Sequence, residues 1–225
     1  MRVRALVWNV HGFRSGVGAV ASVIARERPD LVLLQESRSR RRVRRLAKRL
    51  RMEWVSSHRM FNRVRNAVLY SREWRLVSVK VQDFPRLGRT YRRGFIAAEL
   101  RRLGAPLTAV ATHLGLAPRE RVHHARVLTD YLAGVKGPLV VGVDVNEGPD
   151  GTAARWISER LFDAFATAGD GDGLTFPAKT PSARIDYLFA RDVTQVTASW
   201  VSAAPNVRTA SDHLPVVAEL ELPET

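Results

Sequence analysis

The sequence predicts an α+β fold in which two packed β-sheets carry helices on their outer faces. Two observations predict it. Strand-like and helix-like segments alternate at the start of the chain, whereas the middle holds five short segments rich in Val, Leu and Thr with no long helix between them, as in antiparallel hairpins. No Ser/Gly linker, internal repeat or low-complexity tract divides the 225 residues, so one domain over 1–225 is the simpler organisation.

Residues 3–9 form an apolar run that ends in a polar loop, the pattern of a strand. Residues 18–28 carry apolar side chains at helical spacing (Val20, Val23, Ile24) and stop before Pro29, whose ring disfavours helical backbone in the residue ahead of it. The continuous apolar run 31–35 suits a strand covered on both faces. Residues 38–51 return to the helical period, with Val43, Leu46, Ala47 and Leu50 on one face. Segments 54–57, 66–70, 74–81, 94–100 and 106–112 supply the hairpins. A helix from Pro118 to about Ala133 follows, with proline at the start, where its missing N–H costs nothing. A strand over 138–143, a short helix over 152–161 and strands near 185–190, 195–201 and 214–220 complete the order.

Composition narrows the function classes. No apolar run approaches the roughly 20 residues that span a bilayer, so no transmembrane segment is expected. The opening stretch reads as a strand, being too short for a signal peptide and lacking a small-residue cleavage site. Without Cys there is no disulfide framework, thiolate metal site or cysteine nucleophile, and a cytoplasmic monomer is expected. Lys and Arg number 36 against 22 Asp and Glu, a formal net charge of +14, and only four of the 36 are Lys. A GC-rich genome would supply part of that Arg excess without function. The field still attracts polyanions, so nucleic acid, phosphorylated small molecules and anionic lipid surfaces are the candidate partners.

Gly16-x-Gly18-x-x-Ala21, with Glu36 20 residues beyond Gly16, imitates a dinucleotide-binding fingerprint. The strand ends near Val10, however, and residues 11–15 intervene where the tight turn should lie, which disfavours that reading. A better signal is the recurrence of polar residues at the ends of apolar strands: Asn9, Glu36, His113, Asp144 with Asn146, Asp186, and Asp212 with His213. Any one of these suits an ordinary turn or cap. Together, mixing carboxylates, amides and His, they fit a hydrolytic site built around a hard metal ion.

The ordered blocks Trp-Asn-Val (8–10), Leu-Leu-Gln-Glu (33–36), Thr-His-Leu (112–114), Asp-Val-Asn (144–146), Thr-Phe-Pro (175–177), Arg-Ile-Asp-Tyr (184–187) and Ser-Asp-His-Leu-Pro (211–215) resemble the endonuclease/exonuclease/phosphatase superfamily, in its DNase I-like, exonuclease III-like and neutral sphingomyelinase-like branches. The resemblance implies a four-layered α/β/β/α sandwich, DNase I-like, and cleavage of phosphate esters dependent on Mg²⁺, with Mn²⁺ as the other suitable ion. It further implies that Glu36 is the principal metal-binding carboxylate with Asn9 beside it. Asp144 would orient or deprotonate the attacking water, and Asn146 would donate to the phosphate. His213 would be the catalytic imidazole with Asp186 as its partner. Asp212 would be a further metal-site carboxylate and His113 the second active-site His. The chemistry asks for these residue types on its own account. A phosphodiester is anionic, so attack on it requires charge neutralisation, and Mg²⁺ needs only one or two carboxylates.

The chain departs from the family pattern in places. The usual Gly-Asp-x-Asn appears as Gly142-Val143-Asp144-Val145-Asn146, which shifts the Gly by one position. His11 stands where the abasic-site endonuclease branch has a further acidic ligand, and Arg38 follows Glu36 at the place of that branch's basic residue. Residues 38–51 hold nine basic side chains, read as a solvated outer helix face with only its N-terminal end near the catalytic rim. The loop 86–93 places Tyr91 among four Arg, and Arg89, Arg92, Arg93 and Tyr91 suit phosphate contacts and base stacking. His123 and His124 read as structural, and His58 has no supporting motif.

Three functions compete. The first is a metal-dependent phosphodiesterase acting on nucleic acid, a DNA endo- or exonuclease. The second is a phosphatase or phosphodiesterase on a small phosphate ester or phospholipid head group. The third is an inactive nucleic-acid-binding protein, which would have lost a catalytic residue; none of Asn9, Glu36, Asp144, Asn146, Asp186 or His213 is lost.

Overall fold

The computed structural model describes residues 1–57, 64–88 and 90–223. In chain order its elements are β1 (Arg2–Asn9), α1 (Val17–Glu27), β2 (Leu31–Gln35), α2 (Arg40–Leu50), β3 (Glu53–Ser56), β4 (Ala67–Tyr70), β5 (Arg75–Asp83), β6 (Gly94–Arg102) and β7 (Ala105–His113). Then come α3 (Pro118–Ala133), β8 (Leu139–Asp144), α4 (Thr152–Ser158), β9 (Phe162–Asp163), α5 (Ala164–Ala168), β10 (Gly169–Asp170), β11 (Asp186–Arg191), β12 (Gln195–Val201), α6 (Val207–Ala210) and β13 (Val216–Glu221). The expected helix over 152–161 stops at Ser158. The chain then makes β9, α5 and β10, elements of two to five residues that are too short to show a hydrophobic period.

Two mixed sheets result, ordered β10-β12-β13-β1-β2-β4-β3 and β5-β6-β7-β8-β11-β9. The middle segments pair antiparallel, β3 with β4, β5 with β6 and β6 with β7, as their hairpin-like sequences predict. The parallel pairs β1–β2 and β7–β8 lie near the centre of each sheet, and each strand of these pairs is buried along nearly its whole length.

The layers follow from the two-residue period of a strand. Ala5 and Val7 of β1, Leu31 and Leu33 of β2, Ala109 and Ala111 of β7, and Val140 of β8 meet between the sheets. The alternate residues Leu6, Trp8, Val32 and Leu34 face Val20, Val23, Ile24, Val43 and Leu46 of α1 and α2. On the far side, Val141 and Val143 pack with Ala125, Leu128, Ala153 and Ile157 of α3 and α4. The molecule is therefore an α/β/β/α sandwich of two packed mixed sheets.

The displaced glycine has its reason in this packing. Gly142 lies in the row of β8 that faces the other sheet, where an added Cβ would stand 2.5 Å from Leu33 Cβ and 2.9 Å from Val7 Cγ2. Gln35, opposite, donates from Nε2 to the Gly142 carbonyl at 3.1 Å. Gly142→Ala should therefore force the sheets apart. We expect a loss of about 1–3 kcal/mol from overpacking, read as a fall in melting temperature of roughly 2–4 °C for each kcal/mol. An unchanged melting curve would show that the sheets do not close on this residue.

Candidate active site

The row of side chains between the sheets changes from apolar to polar at one rim. Continuing the inward row of each strand leads from Val7 to Asn9, from Ala111 to His113, from Val140 through Gly142 to Asp144, and from Leu188 back to Asp186. Strand register then aligns them: His113 is opposite Asp144 in the parallel pair β7–β8, and Asp186 is opposite Asp144 in the antiparallel pair β8–β11. Asn9 reaches across from the first sheet and donates from Nδ2 to Asp144 Oδ2 at 2.9 Å, and to Glu36 Oε1 at 3.5 Å. Glu36 follows β2 directly, with a φ of 51° that turns the chain out of the sheet.

The loop 211–215 is fastened onto β1. Trp8 Nε1 donates to the His213 carbonyl at 2.8 Å, and Ser211 Oγ donates to the Asn9 carbonyl at 2.7 Å. The Thr-Phe-Pro block braces the same loop: Leu214 N donates to the Thr175 carbonyl, Ala178 N donates to that of Asp212, and the Phe176 ring packs 4.8 Å from that of His213. His213 Nδ1 thereby lies 2.8 Å from Asp186 Oδ2, with Nε2 3.9 Å from Asp144 Oδ2.

Burial and charge set the protonation of this cluster. Burial opposes charging His213, but Asp186, with Asp144 and Asp212 behind it, outweighs burial and lifts its pKa to about 10. Asp144 is pushed upward by burial and by the like charge of Asp186, against which His213 and the Asn9 hydrogen bond act. Burial holds His113 neutral, well below the usual imidazole range, with Arg93 and His213 adding to the shift. Its Nε2 is 3.2 Å from Asp144 Oδ2 and its Nδ1 3.9 Å from Glu36 Oε1.

A cleft of about 460 Å³ opens over these groups, lined by Asn9, Glu36, His113, Asp144, Asn146 and His213 among others. Asn146, at a φ of 62°, donates from its backbone N–H to Asp144 Oδ1 at 3.1 Å and from Nδ2 to the Leu114 carbonyl at 3.0 Å. Asp212 stands outside the lining. Its Oδ2 is 3.3 Å from His11 Nδ1, and its Oδ1 accepts from Ser211. Of the loop residues, Arg93 is only 6% exposed and belongs to the cleft wall, whereas Tyr91 is 65% exposed at its rim. Arg92 is half-buried and does not line the cleft, and Arg89 lies outside the described residues, as does His58.

Sequence reasoning missed Arg14 and Arg65, which line the cleft with Arg38 and Arg93. Both come from loops without a local pattern. Residues 123 and 124 behave as expected in part. The buried His124 ring stacks on Phe84 at 4.5 Å in the wall behind Arg93, and its Nε2 is 3.9 Å from Glu120 Oε1.

A family model described as the endonuclease/exonuclease/phosphatase family matches residues 6–213. The chain belongs to this family. Its members are phosphoester hydrolases and generally depend on a divalent metal. The fold is shared with family proteins of known structure. One from Bacteroides vulgatus superposes with a TM-score of 0.83 at 19% identity, covering 99% of this chain and 100% of that one. A second, from Bacteroides thetaiotaomicron, gives 0.82 at 15% identity over 99% and 96% of the two chains. The mannosyl-6-phosphatase Bt3783 of Bacteroides thetaiotaomicron VPI-5482 gives 0.81 at 16% identity over 97% and 99%. A search of the curated proteins returned no match.

The residues present fit a divalent cation. Glu36, Asp144 and Asp186 concentrate carboxylate charge around one cleft, and the like charge of Asp186 adds to burial in pushing Asp144 upward. Asp144, Asp186 and His213 offer ligand atoms within 4.8 Å of one another, the one such group among the described residues. The 2.8 Å contact of His213 Nδ1 with Asp186 is a hydrogen bond, so that nitrogen is already occupied by a proton. Glu36, half-buried and facing the cleft with Asn9 beside it, is the hard oxygen donor that a Mg²⁺-like ion prefers. Among the described residues, no helix is long and apolar enough to cross a membrane.

Proposed function

We propose that the protein is a divalent-metal-dependent phosphodiesterase acting on polynucleotides, as a DNA endo- or exonuclease working as a cytoplasmic monomer, with residues 1–225 as one domain. The meeting of Asp144, the Asp186–His213 pair and Glu36 at one cleft edge carries this reading. Glu36 with Asn9, supported by Asp212 through His11, would hold the metal, Mg²⁺ or Mn²⁺, which when bound neutralises charge on the phosphate. Asp144 accepts the proton of the attacking water. His213, kept cationic by Asp186, stabilises the charge that develops on the phosphoryl oxygens, and Asn146 and the neutral His113 supply hydrogen bonds without adding charge. Arg14, Arg38, Arg65 and Arg93 around the cleft, with the exposed Tyr91 ring at its rim, suit an anionic chain bearing aromatic bases.

A second reading, a phosphatase of small phosphate esters, draws on the compact 460 Å³ cleft and on the fold shared with a mannosyl-6-phosphatase. The test is incubation with plasmid, single-stranded DNA, RNA, an abasic duplex and a sugar phosphate, each with Mg²⁺, Mn²⁺ or EDTA. Cleavage of a polynucleotide supports the first reading; release of phosphate from the sugar phosphate alone supports the second.

The charge states also set a pH profile. Activity needs Asp144 ionised and His213 protonated, so kcat/KM should rise with pH as Asp144 loses its proton and fall above about 10 as His213 loses its own. Asp186→Asn removes the principal charge that raises His213. The falling limb should then move to lower pH in a pH–rate measurement, and an unmoved limb would detach His213 from the profile.

A further inference from the structure

The basic segment 38–51 does not present its charge as one solvated face. Arg38 lines the catalytic cleft, and the Arg40 guanidinium lies 5.5 Å above the Trp54 ring. Arg42, Arg45, Lys48 and Arg49 instead turn toward the start of α1. With Arg14, Phe13 and residues 16–18 they line a groove of about 820 Å³. Arg42 fastens α2 to the turn before α1 by donating to the Gly12 carbonyl. Among the described residues no carboxylate lines the groove, and none of its five cations forms an ion pair. The sequence of α2 contains no acidic residue that could supply one.

Arg14 belongs to both concavities, closing the catalytic cleft on one side and the groove on the other. We propose that the groove between α1 and α2 is an exosite for the sugar–phosphate backbone of a polynucleotide, continuing the path of the strand out of the cleft past Arg14. The match is one of charge and length. Positions 42 to 49 rise about 10 Å along the helix, the axial rise of about three nucleotides in one strand. The polar side chains that line it are guanidinium and ammonium groups alone, which suit phosphates and not bases. A small phosphate ester held at Glu36 and Asp144 would not reach it. The inference deepens the polynucleotide reading and rests on it only for what occupies the cleft.

The test uses the triple variant Arg45→Gln, Lys48→Gln and Arg49→Gln. These exposed side chains touch neither the cleft nor the Gly12 carbonyl, and Gln maintains helix propensity. Circular dichroism and a melting curve confirm its fold, with the single Lys48→Glu variant as a second probe should the triple variant misfold. Binding of a fluorescein-labelled oligothymidylate about 20 nucleotides long is measured by anisotropy in EDTA, so that no turnover intervenes, across a series of salt concentrations. Hydrolysis of bis(p-nitrophenyl) phosphate with Mg²⁺ is followed in parallel. The exosite requires the variant to bind the oligonucleotide about tenfold or more weakly and to lose about two units of salt slope, at roughly 0.7 per phosphate contact on a single strand. Hydrolysis of the small diester should be unchanged.

Equal affinity and equal slope in variant and wild type would overturn the exosite, as would a wild type that binds no oligonucleotide. Either result leaves the phosphodiesterase reading intact if the small diester is still cleaved. Conversely, absent hydrolysis with the selective loss of oligonucleotide binding would keep the exosite and remove the enzymatic reading. Vesicles containing phosphatidylserine form the last arm. Loss of vesicle binding without loss of oligonucleotide binding would assign the groove to a membrane surface and overturn the proposal.

Discussion

Asp144→Asn will abolish most turnover, lowering kcat by about three orders of magnitude, the usual contribution of a positioned general base. The substituted side chain has nearly the same shape, and its remaining oxygen can still accept from the Asn146 N–H. What it loses is the capacity to take a proton. KM should therefore change little, since the lost interaction is realised only in the transition state. The fold should survive, because the ionised carboxylate it replaces is itself opposed by burial and by Asp186. Steady-state kinetics together with a melting curve check both halves. A variant that turns over at near wild-type rate would transfer the base to another residue.

Glu36→Gln should have the second-largest effect, and of a different kind. One carbonyl oxygen remains to face the cleft, but the negative charge that would hold a divalent cation is gone. The Mg²⁺ concentration for half-maximal activity should rise about a hundredfold or more, since the loss of an outer-shell partner alone costs roughly 10–100-fold. Added Mg²⁺ should restore part of the rate, whereas it should restore none to Asp144→Asn. That contrast separates a metal-holding role from a proton-accepting one.

Much of the fold and part of this site were legible in the residues themselves. Asn9, His113, Asp144 and Asp186 extend the inward rows of four strands, so a two-residue period read to its end leads from the apolar core to the polar rim. Glu36, Asp212 and His213 lie in loops, where no period operates; their place beside apolar strands and their ordered motifs marked them. Of the cleft arginines, Arg38 was marked by its place after Glu36 and Arg93 by the Arg-rich loop 86–93, whereas Arg14 and Arg65 had no signal of either kind. Arg14, Arg65 and Arg93 are brought together by loops distant in sequence, and nothing local distinguishes Arg93, in the cleft wall, from Arg92 beside it. The basic face of α2 was visible as charge, but its concavity depends on how α1 packs against it. The shifted Gly142 was likewise visible as a departure, and the approach of Leu33 and Val7 from the other sheet supplies its cause.

Release of p-nitrophenol from bis(p-nitrophenyl) phosphate by metal-stripped protein, followed as Mg²⁺ is added back, examines the catalytic cleft with no polymer-binding surface involved. Wild type should be silent in EDTA and regain turnover as Mg²⁺ rises, Glu36→Gln should need far more of the ion, and Asp144→Asn should stay silent throughout. Turnover that persists in EDTA, or equal turnover by Asp144→Asn and wild type, would mean that these strand ends do not form a metal-dependent phosphodiesterase site.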